Sequence, residues 1–343
     1  MGKGPHAEQE KLKTPAIAFR ALTMENLESV HAQRAALIYN PIARGVLRHR
    51  GSLESSIELL KQQRISVALE ATTGPGSATA QARHLIEDGC DLIIVAGGDG
   101  TINEVANGML QSNVPLGILP GGTANVLARE LRLPISIQRA TLQINKLRPC
   151  RISVGRLQAA GQHRTFLCMA GAGLDAEIVS RLNLDLKAST GKFAYYVAGF
   201  GQVGRSLPEF DVAVDGQNYK ASFALISRVR NYGGDLEIAR GASLLRDEFE
   251  IVLFRGTIGM RYLPYLLGVL LRRTNRMKGC TVLHGRSVTC STPVGRDIYF
   301  QIDGELSGKL PINAEIVSDA LTLLVPPEYV TREQALVAVP VCA

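Results

Sequence analysis

From residue 35 the chain alternates short, unbroken apolar runs with stretches whose apolar positions recur every three or four residues. The first run, Ala35-Ala36-Leu37-Ile38-Tyr39, stops at Asn40-Pro41. Leu53, Ile57 and Leu60 then draw a helical stripe. A strand over 67–71, the turn signal Gly74-Pro75-Gly76, a helix over 78–87 and an apolar strand over 92–95 follow. Strand and helix alternating at this short spacing argue a parallel sheet, doubly wound with helices on both faces. Ligands of such sheets gather beyond the carboxyl ends of the strands. Asn40-Pro41, Thr72-Thr73 and Ala96-Gly97-Gly98-Asp99-Gly100-Thr101 all fall there.

The last of these stretches opens a helical pattern, with Ile102, Val105, Ala106 and Met109 on one face and Asn103, Glu104 and Asn107 on the other. Thr101 and Glu104 have capping-box spacing. Glycines let backbone N–H groups approach a ligand closely and a helix N-terminus favours negative charge, so the stretch reads as a phosphate cradle. Asp99 sets it apart, because a carboxylate repels an anion unless a metal or a reacting hydroxyl stands between them. A strand over 116–119 repeats the layout and ends in Pro120-Gly121-Gly122-Thr123-Ala124-Asn125. The helix after it stripes Ala124, Leu127, Ala128 and Leu131, and Pro134 ends it. Two glycine loops, each with a threonine at the helix cap, predict a two-sided nucleotide cleft.

Beyond Arg151 the period changes. Strand-like runs over 151–157, 165–169, 210–214, 222–229, 250–254, 287–290, 299–302 and 321–325 are separated by turn residues, the pattern of a mainly antiparallel β-sandwich. Helical insertions are expected near 175–186, 191–204 and 260–273, and a hinge near Pro149. The expected organisation is a flexible tail over 1–33, a nucleotide-binding α/β domain over 34–149, a β-sandwich lipid-substrate domain over 150–330 and a tail over 331–343.

Composition narrows the partners. The 343 residues are 46% hydrophobic and 20% charged, an ordinary globular balance, and a net charge of +7 favours anionic partners. Aromatic residues are only 5% and do not interleave with the basic ones, which argues against nucleic acid. Cys90, Cys150, Cys168, Cys280, Cys290 and Cys342 form no metal-ligand spacing and read as reduced residues of a cytoplasmic protein. No signal peptide is indicated, and the longest apolar run, 262–271, falls short of the ~18 residues that span a bilayer. The basic-flanked stretch 261–273 reads either as a helix buried against the sandwich or as a lip touching anionic lipid.

Taken together, Asn40-Pro41, the block from Gly97 to Val105, the block from Pro120 to Arg129, Gly173-Leu174-Asp175-Ala176 and Asp303-Gly304-Glu305 resemble the diacylglycerol kinase catalytic-domain family, which includes bacterial lipid kinases and sphingosine kinases. The resemblance runs in family order from about residue 35 to 325. It implies an NAD kinase/phosphofructokinase-like first domain and ATP-dependent phosphorylation of a hydroxyl on diacylglycerol, a sphingoid base or a related lipid, in the interdomain cleft. It further implies ATP-binding positions at Asn40, Thr72, Gly98, Asp99, Gly100, Thr101, Ile102, Asn103, Glu104, Gly122, Thr123 and Asn125, and a proton acceptor at Glu305. The segment 244–249 is similar to the place where bacterial members hold Mg²⁺, which nominates Leu244, Asp247 and Phe249. Asp99 and Glu305 are then the two catalytic carboxylates, one toward Mg²⁺-ATP or orienting the hydroxyl and the other as base, with roles open to exchange. The expected protein is cytoplasmic and peripheral to the inner face of the membrane, with a lipid substrate and a homodimer allowed.

Two positions depart from the family. Val126 and Ser153 stand where bacterial relatives tend to carry aspartate, and Val126 falls off the apolar stripe of its helix. Rival readings are an NAD kinase-like enzyme of a soluble substrate and a non-catalytic nucleotide- or lipid-binding regulator. Taken alone, Glu305 is a hairpin-turn acid, Asp175 a helix cap and Asp247 a surface turn acid.

Overall fold

The computed structural model describes residues 32, 34–47, 50–181, 207–233, 236–256, 265, 268, 277, 279–293 and 296–338. Its first part contains β1 (Ala35–Tyr39), α1 (Arg44–Leu47), α2 (Arg50–Gln62), β2 (Val67–Ala71), α3 (Ser77–Glu87) and β3 (Leu92–Gly97). These are followed by α4 (Asp99–Met109), β4 (Leu116–Pro120), α5 (Val126–Glu130) and α6 (Ile137–Thr141). The strands pair in parallel in the order β2-β1-β3-β4, with Leu37 opposite both Leu69 and Ile94, and Ile94 opposite Gly117. Every residue of β3 and β4 is buried, as the unbroken apolar runs require.

The second part is mostly strand. It comprises β5 (Arg148–Ala159), β6 (Gln162–Phe166), β7 (Met169–Gly173), α7 (Leu174–Arg181), β8 (Phe210–Val214), β9 (Gln217–Ala221) and β10 (Phe223–Ser227). Then come β11 (Asn231–Tyr232), β12 (Leu236–Glu237), β13 (Phe249–Phe254), β14 (Cys280–Gly285), β15 (Ser287–Ser291), β16 (Tyr299–Ile302), β17 (Glu305–Lys309), β18 (Ile312–Val325) and α8 (Pro327–Ala338). An antiparallel sheet β14-β13-β10-β7-β16-β17 packs on the antiparallel end of the large sheet, built from β18, β15, β8, β9, β5 and β6. Phe166, Phe210, Phe249 and Phe300 fill the space between them, with Phe166 and Phe249 stacked at 5.6 Å.

Strand β18 belongs to both halves. It pairs in parallel with β4 at Leu323 and Leu116, and antiparallel with β5 from Asn313 opposite Gln158 to Val325 opposite Arg148. Pro149, the expected hinge, sits inside β5 opposite Leu324, so the chain crosses between the halves within a strand pair. The strand expected over 165–169 is two strands, because the N–H groups of residues 167–169 leave the ladder for the carboxylate of Asp303. Residues 331–338, expected to be tail, continue helix α8, where Glu333 is buried. The expected tail over 1–31, the insertion over 191–204, nearly all of 260–273 and Cys342 lie outside the described residues. The other five cysteines are free thiols.

Candidate active site

The loops that follow β2, β1, β3 and β4 stand side by side at the carboxyl edge of the parallel strands. They carry Thr72, Asn40, Gly97 to Thr101 and Gly121 to Asn125 in that order. β1 and β3 are neighbours although β2 intervenes in sequence, and the crevice of a doubly wound sheet opens at such a switch point. Asn40 fills it. Its N–H donates to the Ala96 carbonyl at 3.0 Å, its Oδ1 accepts from Ile42 N at 3.0 Å, and its Nδ2 donates to Thr101 Oγ1 at 3.2 Å. Beside it, Thr72 N donates to the Tyr39 carbonyl at 2.9 Å.

The two glycine loops are stacked backbone on backbone. Gly121 N donates to the Gly97 carbonyl at 2.8 Å, and Gly45 N to the Gly121 carbonyl at 2.8 Å. A Cβ on Gly122 would lie 2.6 Å from Gly98 Cα, and one on Gly45 would lie 2.9 Å from Gly121 Cα. Glycine is required here by close approach, since no side chain fits between the two main chains.

The helix starts differ from the expectation of threonine caps. α4 begins at Asp99 behind Gly98, which is extended, with no side-chain cap; Thr101 is already inside the first turn and its hydroxyl accepts from Asn40. No capping box forms. α5 begins behind Asn125, which is left-handed at φ 49°. The Asn125 Oδ1 accepts from Gly122 N at 2.8 Å and its Nδ2 donates to the Gly122 carbonyl at 2.9 Å, so it closes its own loop. Thr123 is exposed at the tip of that loop.

Asp99 ties the two loops together. Its Oδ1 accepts from Leu127 N at 3.4 Å, so the carboxylate of the first loop lies over the start of the helix after the second. Burial pushes its pKa above the ordinary carboxylate value, and the amides of residues 125–127 oppose the shift.

The second carboxylate arrives from the sandwich. The β16–β17 hairpin turns on Asp303 and Gly304 at φ 46° and 84°, the positive pair of a two-residue Asp-Gly turn. Glu305, the first residue after the turn, is exposed and reaches the first glycine loop: its Oε1 lies 3.1 Å from where a Cβ on Gly100 would stand. Asp303 points inward. Its Oδ1 accepts from Cys168 N at 3.0 Å and Met169 N at 2.8 Å, and its Oδ2 from Leu167 N at 3.1 Å. Burial pushes its pKa up to about 7 against those three amides, and the charge of Asp99 pushes the same way. The sequence reading missed this role. The Asp-Gly pair signals the turn, but the amides that Asp303 holds come from a distant stretch of chain.

Other expected residues take structural parts. Ile102 is in the core with its N–H on the Gly98 carbonyl, so it offers a nucleotide no free group. Asn103 Nδ2 donates to the Thr165 carbonyl at 3.1 Å, joining α4 to β6, and the Glu104 carbonyl accepts from Thr79 Oγ1 at 2.8 Å. Asp175 caps nothing. It is fully buried in the first turn of α7, accepts from Tyr232 Oη at 2.5 Å and Gln301 Nε2 at 2.8 Å, and is pushed by burial up to about 6. Val126, expected off the apolar face, is packed in the core because α5 is buried nearly all round.

The three residues nominated for Mg²⁺ do not fit a divalent cation. The Leu244 carbonyl accepts from the guanidinium Nη2 of Arg228 at 2.8 Å. The Asp247 carboxylate accepts from Ser153 Oγ and stands 4.0 Å from Arg286. Phe249, nominated for its main-chain carbonyl, opens β13 opposite Gly285 with its ring in the sandwich core. Among the described residues, no cluster of three or more His, Cys, Asp or Glu could hold a metal.

A doubly wound half bearing paired glycine loops, closed by a sandwich hairpin with a carboxylate, defines a nucleotide-dependent transferase class. Residues 34–157 match the diacylglycerol kinase catalytic domain, and residues 168–325 match the YegS C-terminal NAD kinase beta sandwich-like domain. The chain is 28% identical over 307 residues to a diacylglycerol kinase of Staphylococcus epidermidis, covering 88% of this chain and 95% of that one. It is 26% identical over 306 residues to one of Staphylococcus aureus, with the same coverage of 88% and 95%. A crystal structure from Bacillus anthracis aligns with TM-score 0.74 at 26% identity, over 90% of this chain and 100% of that one. A second, titled as a diacylglycerol kinase of the same organism, shares the fold at TM-score 0.67 and 24% identity, over 87% and 99%. The chain belongs to the diacylglycerol kinase catalytic-domain family and is a lipid kinase.

Proposed function

We propose that this lipid kinase transfers the γ-phosphoryl group of ATP to a hydroxyl of diacylglycerol, a sphingoid base or a related lipid, where the Glu305 hairpin meets the glycine loops. One observation carries the reading: a carboxylate from the sandwich reaches Gly100, the residue that follows Asp99, at the mouth of the crevice. Phosphoryl transfer passes through a loose transition state, so the protein contributes mainly position and charge. The N–H groups of Gly98, Gly100, Thr101 and Thr123 and the hydroxyls of Thr72 and Thr123 meet the phosphates, while Asn40 and Gly122, whose N–H groups are bonded to Ala96 and Asn125, shape the loops. Charge neutralisation of the transferred group would come from Mg²⁺ bound to the ATP phosphates. Glu305, exposed and ionisable, accepts the proton of the lipid hydroxyl, and Asp99 orients the reacting groups from its seat on α5. The lipid is met at the inner face of the membrane, to which the protein is peripheral; among the described residues no helix is long and apolar enough to cross a membrane.

Purified protein incubated with labelled ATP, Mg²⁺ and vesicles carrying a lipid panel tests this reading, and labelled lipid is the expected product. Label on NAD would move the activity to a soluble acceptor, and ATP binding without label on any acceptor would mark a regulator. Asp99→Asn is expected to abolish transfer in a folded protein. Glu305→Gln is expected to lower kcat by about 10²–10⁴-fold with nucleotide affinity retained, the usual range for loss of a general base. An unchanged rate would return Glu305 to a turn residue.

A further inference from the structure

Arg228, just beyond β10, is among the largest fully buried side chains of the molecule. Its guanidinium is ringed by main-chain carbonyls. Nη1 donates to Arg246 O at 2.5 Å and to Glu248 O at 2.7 Å; Nη2 donates to Leu244 O at 2.8 Å and to Ser153 O at 3.2 Å. Four of its five N–H groups are thus spent on carbonyls, and Nε has no partner. Among the described residues no carboxylate oxygen is bonded to the guanidinium. Burial lowers its pKa only to about 10, so it stays a cation at neutral pH. Converging carbonyl dipoles, with the charges of Asp247 and Glu248 nearby, are what a buried positive charge needs and also what a hard metal ion would use.

We propose that the guanidinium of Arg228 is the resident cation of the 244–248 loop, standing where related enzymes are expected to place a divalent metal, so that this loop is ordered without metal. Two further contacts support the assignment. The Asp247 carboxylate, released from a metal, accepts from Ser153 Oγ, and the Asp247 carbonyl accepts from Arg286 Nη1 at 2.7 Å. The opposite end of the loop is fixed by Leu244 N donating to Tyr329 Oη at 3.1 Å. Ser153 in place of an acid is then coherent, because a resident guanidinium leaves no metal for an acid to ligate. The loop is also wired to the active site: Arg228 N donates to the Cys168 carbonyl at 2.8 Å, and Cys168 N donates to Asp303. The inference does not depend on which acceptor is phosphorylated.

The test uses the full chain without nucleotide. Mn²⁺ is titrated and followed by EPR, and melting temperature is compared in EDTA and in millimolar MgCl₂. The wild type is expected to hold no tightly bound Mn²⁺ and to melt at the same temperature in both solutions, since a ligand that does not bind the native state cannot stabilise it. Arg228→Ala empties the carbonyl ring and is expected to gain a Mg²⁺-dependent rise of several degrees, which adding Asp247→Asn removes; Arg228→Lys is expected to show no such rise. One tightly bound Mn²⁺ per wild-type chain, lost in Asp247→Asn, would overturn the proposal. A folded Arg228→Ala indifferent to Mg²⁺ would overturn it too. Should Arg228→Ala fail to fold, the wild-type and Asp247→Asn titrations decide alone.

Discussion

The contact between Gly122 and Gly98 sets how closely the two phosphate loops can lie. An alanine at 122 would place a methyl group 2.6 Å from a main-chain carbon that cannot turn aside, so the loops must separate. Gly122→Ala is expected to cost about 1–3 kcal/mol, the range of overpacked sites, and to weaken ATP binding in calorimetry. A chain equally stable and equally tight for ATP would show that the stacking is not needed. Asp175 makes a different prediction at the same scale. Burial keeps it protonated up to about 6 in the folded chain, while the unfolded chain releases the proton near ~3.9. Between these values the folded state holds the extra proton, so the contribution of Asp175 is full below the lower value and is lost as pH rises to about 6. Asp175→Asn, which cannot ionise, is therefore expected to flatten the fall of melting temperature with pH across that window. A slope as steep as that of the wild type would point to other groups, Asp303 first.

Elements were legible where one cause dominated. β1, β3 and β4 are buried on both faces, so their apolar runs can be read directly, and the stripe from Ile102 to Met109 marks α4. β9 and β17 were invisible because they are mostly exposed and polar, QNYKA and ELSGK. The break between β6 and β7 could not be read because its cause, Asp303, is supplied by another strand. The site divides the same way. The glycine loops are local and were legible, whereas the closure of Glu305 onto Gly100 is a tertiary fact. Thr101 was misplaced because the helix starts three residues earlier, behind Gly98, which exchanges a cap for a first-turn residue. α8 was missed for its buried charge. Arg230 donates to Glu333 at 2.6 Å and 2.7 Å and to Glu130 of α5 at 3.1 Å, and both carboxylates are 1% exposed. Arg230→Ala leaves two buried acids to share Arg332, which stands 3.3 Å from Glu130 and 2.9 Å from Glu333, and is expected to cost about 3 kcal/mol in denaturant unfolding. Combining Arg230→Met with Glu130→Gln and Glu333→Gln is expected to recover much of that loss, and no recovery would mean that the arginine contributes by packing alone.

For the whole molecule the decisive element is β18, which completes the large sheet between β4 and β15 while pairing with β5. Nucleotide loops and sandwich are therefore parts of one hydrogen-bonded sheet, joined at Leu116 and Leu323. A fragment ending at residue 157 lacks the partner of β4 and is expected to expose that edge and associate, as size-exclusion chromatography would show; a stable monomer would make the first half autonomous. The same strand bears on biosynthesis. Residues 312–325 leave the ribosome only after the strands from β5 to β17, so the nascent chain carries an open β4 edge until they are made. The nucleotide half is thus made before the sandwich but finished only after it.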